Sequence, residues 1–189
     1  MKFKNRIEDP LSDEIKHILK QNTFHIIITG DIGKGKSTLS KKLLEGFTIN
    51  SGFITERVVG IPKIQSGIYI HSAKSIEKEY TKQNRLAILD DCSKKGECII
   101  QERFPEVFDT IGVSYLDGNG LFLMDEIGFL EKDSPHFLNR IDENFESDNS
   151  FIAVIKNKDI NYLNALKNKK GNILFTVGDD FTYNYTYNL

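Results

Sequence analysis

Apolar positions along the chain switch repeatedly between helical spacing and short continuous runs. Ser12 to Lys20 places Ile15, Ile18 and Leu19 at helical spacing behind a serine cap and first-turn acids, which predicts a short leading helix. His25 to Thr29 is too short and too β-branched for a helix, and apolar enough to be a strand buried on both faces. The turn Gly30 to Gly35 follows directly. From Lys36 helical spacing returns at Leu39, Leu43 and Leu44, with Gly46 placed to stop that helix. Phe53 to Val59 and Gly67 to His71 read as a hairpin whose extended pattern is broken at Gly60-Ile61-Pro62.

Ser72 to Gly96 is polar and lysine-rich with one apolar cluster, Leu86 to Leu89, and reads as a loop or a poorly packed helix over the surface. Cys98 to Ile100 is a short strand, and a helical face follows Pro105 through Val107, Phe108, Ile111, Tyr115 and Leu116. Leu121 to Met124 is a buried strand ending on Asp125-Glu126. Ser134-Pro135 opens a helix in cap-then-proline order, with Phe137, Leu138, Ile141 and Phe145 as its buried stripe. Phe151 to Ile155 is a strand, Ile160 to Leu166 a helix and Ile173 to Val177 the last strand. Alternating strands and helices predict an α/β fold of three layers, with a mostly parallel sheet covered by helices on both faces. The expected organisation is one domain over 1–189, with residues 1–22 as an N-terminal helical extension and 179–189 as an unassigned tail.

Composition narrows the function classes. With 189 residues and 39% apolar side chains the chain can bury one substantial core. A net charge of −2 and a pI near 6.1 provide no excess of cations for a phosphate backbone, so no nucleic-acid partner is expected. The cysteines, Cys92 and Cys98, have neither zinc-knuckle nor disulfide-framework form and are expected as free thiols. No run approaches 18 apolar residues and the start is charged throughout, so the expectation is a cytoplasmic protein without a membrane partner, a monomer by default. The dispersed His17, His25, His71 and His136 receive no role.

The strongest chemical signal is Gly30-Asp31-Ile32-Gly33-Lys34-Gly35-Lys36-Ser37, a complete G-x-x-x-x-G-K-[ST] phosphate loop, the Walker A pattern. Consecutive backbone N–H groups must turn inward around a phosphate, which demands backbone angles and a closeness of approach that side chains obstruct. The helix beginning there presents its positive end to the same anion. Lys36 would reach the β- and γ-phosphates, Ser37 would place its hydroxyl on Mg²⁺, and Thr38 would touch the α-phosphate. By composition such a loop arises by chance once in about 150 chains of this length, and its strand-to-helix context makes chance rarer still. Asp125-Glu126, delivered at the carboxyl end of a buried strand where ligands collect, supplies the Walker B element. There Asp125 would support the Mg²⁺ shell and Glu126 would polarise a water.

On these residues the chain resembles the small P-loop nucleoside triphosphatases, thermophile-type and human cancer-related. The resemblance spans roughly residues 24 to 178. It rests on Gly30 to Leu39, on Ser51-Gly52-Phe53-Ile54-Thr55-Glu56 with Gly67-Ile68-Tyr69, and above all on Met124-Asp125-Glu126-Ile127-Gly128-Phe129-Leu130-Glu131. It implies a RecA-like sheet and Mg²⁺-dependent hydrolysis of several nucleoside triphosphates, ATP or GTP among them, to diphosphate and phosphate, with Asp125 and Glu126 in the metal and water-activating roles. The chain departs from the family at Val59, where an arginine is usual. Arg57, two residues earlier, is the remaining candidate for a transition-state arginine, and without one slow turnover is expected. Leu130 stands where the family usually has methionine.

Three rival readings share the loop. Asp125-Glu126-Ile127-Gly128 fits the D-x-x-G of a GTPase switch and Asn157-Lys158-Asp159 follows a strand, but the guanine-reading motif needs an acid where Ile160 stands. Asp159 then reads equally as the cap of the next helix. A small-molecule kinase would need an arginine-rich lid, and residues 72–96 contribute only Arg85. A non-catalytic nucleotide-binding module would have no use for Glu126.

Overall fold

A computed structural model describes residues 5–90 and 98–188. Among the described residues ten strands form one sheet in the order β1-β10-β9-β2-β8-β7-β3-β4-β5-β6. Its centre is parallel: β9 (Ile173–Val177), β2 (His25–Gly30), β8 (Ser150–Ile155), β7 (Leu121–Ile127) and β3 (Ser51–Val58). Antiparallel strands extend both sides, with β4 (Gly67–Ser72), β5 (Arg85–Leu89) and β6 (Ile100–Arg103) beyond β3, and β10 (Thr182–Tyr187) and β1 (Asn5–Arg6) beyond β9. The strand carrying Asp125 is therefore not the neighbour of the phosphate-loop strand, because β8 lies between them.

Alternation along the central strands divides the core into two layers, since successive side chains face opposite sides of a sheet. Ile26 and Ile28 of β2 pack with Ile15, Ile18, Leu39 and Leu43 from α1 (Asp13–Leu19) and α2 (Lys36–Leu43). Ile27 faces the other way, toward a cluster with Phe122, Met124, Phe137, Ile141 and Leu163. The helices on that side are α3 (Pro105–Val107), α4 (Val113–Tyr115), α5 (Pro135–Glu146) and α6 (Asn161–Lys167), with a π turn over Phe108–Gly112 joining α3 to α4. The three layers match the expectation.

Several local expectations are corrected. The apolar cluster Leu86 to Leu89, expected in a loop or helix, belongs to β5, which pairs with the strand before it, β4, and the strand after it, β6. The predicted strand at Cys98 begins two residues later, at Ile100. Ser134 does not cap α5 with its side chain: its hydroxyl donates to Pro105 O at 2.9 Å, tying α5 to α3. The N-cap of α6 is Ile160, and Asp159 instead accepts from the Asn164 amide. The tail, unassigned from the sequence, forms β10, which pairs with β9 over five residues and carries Tyr183, Tyr185 and Tyr187 at strand period. Cys98 is disulfide-bonded rather than free; sequence spacing carries no information on the Cα separation that decides this. Cys92 lies outside the described residues. Among the described residues no helix is long and apolar enough to cross a membrane.

Candidate active site

The parallel strands aim their carboxyl ends at one edge of the sheet. There a cavity of about 370 Å³ is lined by Ile32, Gly33, Gly35, Lys36, Ser37, Thr38, Thr55, Asp125, Glu126, Val154 and Phe181. Two signals 88 residues apart in sequence, Ser37 and Asp125, thus meet in one space.

The phosphate loop leaves β2 at Gly30, whose φ is 143°. A Cβ there would lie 2.4 Å from Val177 O, so only glycine lets β9 pass. The loop ends at Gly35, in left-handed conformation at the N-cap of α2. Lys36 folds across its own loop, donating to Gly30 O at 2.8 Å and Asp31 O at 2.7 Å. Burial pushes its ammonium pKa down, against the pull of Glu126 and Asp31. Ser37 and Thr38 are exposed on the first turn of α2. Gly30, Asp31 and Lys34 shape the loop from outside the cavity lining. The Asn157 amide donates to Asp31 Oδ1 at 3.0 Å, and the Lys34 ammonium pairs with Asp179.

The acidic side depends on a bulge. In a regular strand Asp125 and Glu126 would face opposite sides of the sheet. The β7–β8 register slips between Asp125 and Ile127, and Glu126 sits at φ 78°, so both carboxylates turn toward the same cavity. A non-glycine residue held there costs roughly 1–3 kcal/mol, which surrounding contacts must offset. Those contacts come from three directions. The Thr55 hydroxyl, on β3, donates to Glu126 Oε2 at 3.0 Å. Lys156, just past β8, places its ammonium 3.4 Å from Glu126 Oε1 and 5.0 Å from the centre of the Phe129 ring. Behind them Glu131, 2% exposed, accepts from Gly128 N–H, while Tyr162 donates to Gly128 O. Burial raises the pKa of Glu131. Burial, then the charge of Glu126, pushes Asp125 up to about 6, only partly opposed by Lys41 and Lys36.

β3 reaches β7 this closely because Gly52 has no side chain. A Cβ at Gly52, whose φ is 118°, would lie 1.9 Å from Leu123 O. That contact gives a physical reason for the glycine in the Ser51 to Glu56 segment. Arg57 is exposed on β3 and is not among the cavity-lining residues. Thr55, Lys156 and Phe181 were not singled out by sequence reasoning. Thr55 sits inside a segment already noted for its resemblance, but Lys156 and Phe181 belong to no motif and are found only through pairing and proximity.

The chain is 26% identical over 164 residues to the nucleoside-triphosphatase THEP1 of Thermotoga maritima, covering 82% of this chain and 86% of that protein. It is 30% identical over 154 residues to the nucleoside-triphosphatase THEP1 of Methanocaldococcus jannaschii, covering 76% and 83%. The crystal structure of THEP1 from Aquifex aeolicus superposes with a TM-score of 0.62 at 23% identity, covering 83% of this chain and 91% of that one, which supports the fold. Residues 25–181 match the NTPase family, and the chain belongs to it.

Proposed function

We propose that this chain is a single-domain hydrolase that cleaves the terminal phosphate from nucleoside triphosphates with Mg²⁺, broadly across bases and slowly. The observation that carries this reading is the bulge at Glu126, which turns a carboxylate into the same cavity as Lys36 and Ser37 of the phosphate loop. In this reading Gly30 to Thr38 hold the phosphates and Lys36 offsets charge on the β- and γ-oxygens. Glu126 takes a proton from a water as its oxygen bonds to the γ-phosphorus. The bond to the β–γ bridging oxygen breaks, and the diphosphate leaves with that electron pair.

Among the described residues no group of three or more His, Cys, Asp or Glu side chains is arranged to hold a metal. That suits Mg²⁺, which commonly binds through one or two carboxylates together with substrate phosphates. Ser37 and Asp125 line one cavity with hard oxygen donors and are the residues that would hold it. When bound, the ion would neutralise charge on the phosphate oxygens. Slow turnover follows from the position of Arg57 outside the cavity lining, since an arginine at the transition state is worth ~10³–10⁵ in rate elsewhere. A guanine-reading role for Asn157 is disfavoured by its engagement with Asp31.

The test is phosphate release from a panel of nucleoside triphosphates, with Mg²⁺ and with EDTA and no added acceptor, comparing the wild type with Glu126→Gln. The expected result is metal-dependent release that falls at least about a hundredfold in the variant, within the range attributed to general-base catalysis. Tight nucleotide binding without release in the wild type would refute the hydrolase reading.

A further inference from the structure

The phosphate site has two ends, and only one is occupied by the proposed chemistry. Asp125 and Glu126 mark the γ-phosphate end, so a nucleotide lying along the loop runs back past Thr38 and its nucleoside emerges there. At that point the cavity meets a second one of about 780 Å³, which shares Thr38 and Phe181 with the first and is otherwise walled by Ile7, Lys41, Glu45 and Asp180, among others. Phe181 stands at the junction.

Phe181 is an odd residue for a structural role. The residue is 56% exposed, and its backbone, like that of Asp180 before it, is left-handed, with φ of 52° and 55°. A bulky side chain in that region is strained, and an exposed ring gains little from burial to offset it. The turn is nonetheless held firmly. Phe181 O accepts from Ile7 N–H at 2.8 Å, and Thr182 Oγ1 donates to Asp179 O at 2.7 Å. The ring lies against the phosphate loop itself: a Cβ at Gly35 would be 2.8 Å from Phe181 Cδ1 and 3.0 Å from Ile7 Cδ1. The result is an apolar wall beside the loop, with more than half of Phe181 left exposed.

We propose, on the phosphate-site reading above, that Phe181 is the stacking platform for the nucleobase and that the second cavity holds the nucleoside. Of the cations lining this cavity, Arg6 pairs with Glu8 and the Lys42 ammonium donates to Ile7 O and Asp9 O, while Lys41 lines it with Phe181. The ring supplies the part of recognition that does not depend on base edges. Every base has a π-face, so such a platform accepts them all and favours purines, whose rings overlap it more fully. This gives the broad base tolerance a structural cause.

The test is calorimetric titration with Mg²⁺-ADP, Mg²⁺-UDP and inorganic triphosphate. The wild type is expected to bind ADP more tightly than UDP. Phe181→Ala and Phe181→Leu should weaken ADP about tenfold, narrow the purine preference and leave inorganic triphosphate unchanged, whereas Phe181→Trp should retain ADP. Leucine keeps apolar contact with Gly35 and Ile7 but has no aromatic face, which separates stacking from packing. Unchanged ADP affinity in the alanine variant would overturn the proposal. So would equal weakening of ADP and triphosphate, which would make the ring only a brace for the loop. Lys36→Ala should weaken all three ligands. If it weakens none, the phosphate-site reading fails and the platform with it. The titrations measure binding alone, so they judge Phe181 whether or not the protein hydrolyses the nucleotide.

Discussion

The phosphate loop and the acidic turn face each other across one cavity, and they are built in different ways. The loop is eight consecutive residues whose shape comes from its own glycines, and Lys36 bonds to carbonyls of the same loop. The acidic turn is assembled from separate parts of the chain: Glu126 on a bulge, Thr55 from β3, Lys156 from beyond β8, and Tyr162 of α6 with Glu131 bracing Gly128. One rim is a local device that a short motif can encode. The other depends on the sheet having formed correctly, so its chemistry and its stability are coupled.

That difference predicts where each rim breaks. Lys36→Ala should separate function from folding most sharply, because the turns of the loop are set by Gly30, Gly33 and Gly35 and the ammonium's two bonds stay within the loop. Turnover should fall by ~10²–10³, the size of effect seen when one transition-state donor is removed. Thermal denaturation should stay within about 2 °C of wild type, the mark of a change near 0.5 kcal/mol in a domain of this size. Wild-type turnover in the folded variant would remove Lys36 from the site.

Glu131→Ala should do the reverse and cost stability first. It leaves Gly128 N–H buried without its acceptor and opens space beneath the turn, a loss of roughly 2–4 kcal/mol in urea denaturation. Glu131→Gln keeps an acceptor oxygen and gives the comparison a pH dependence. Burial raises the Glu131 pKa, so ionisation costs the folded state and wild-type stability declines as pH rises from the unfolded value near ~4.3 through the raised folded one. Glutamine removes that slope, so the variant should compare better with wild type at pH 8 than at pH 4. A stability difference that is the same at both pH values would mean that Glu131 does not titrate differently on folding.

The same contrast explains what the sequence disclosed. The loop, the acidic pair and the three-layer alternation were legible because each is carried by neighbours in sequence: glycine spacing, a strand ending in acids, and apolar period. β5 and β10 were not: β5 is a five-residue run within a lysine-rich stretch, fixed by its pairing with β4 and β6, and in β10 the period-2 alternation of Tyr183, Tyr185 and Tyr187 is carried by aromatics with polar tips rather than by aliphatic residues. The bulge that turns Glu126 inward leaves no mark in the sequence, since glutamate is not a residue chosen for positive φ. Lys156 carries no signal in the sequence: it follows β8, and only the strand order, which sets β8 between the loop and the acids, brings it to Glu126.

The smallest expected effect tests whether the acidic rim is positioned by its neighbours or merely close to them. Thr55→Val keeps the shape of the side chain but deletes the hydroxyl that donates to Glu126 Oε2. A hydrogen bond of this kind is worth about 0.5–1.5 kcal/mol net. If it holds Glu126 in its reactive direction, kcat should fall about three- to tenfold with KM unchanged, because Thr55 would act on the acid rather than on the phosphates. Thr55→Ser, which restores a donor without the methyl group, should recover most of the rate. A rise in KM at constant kcat would instead place Thr55 against the substrate. Unchanged kinetics in both variants would leave Lys156 and the bulge itself to hold the acid, and the two rims would then be less different than their construction suggests.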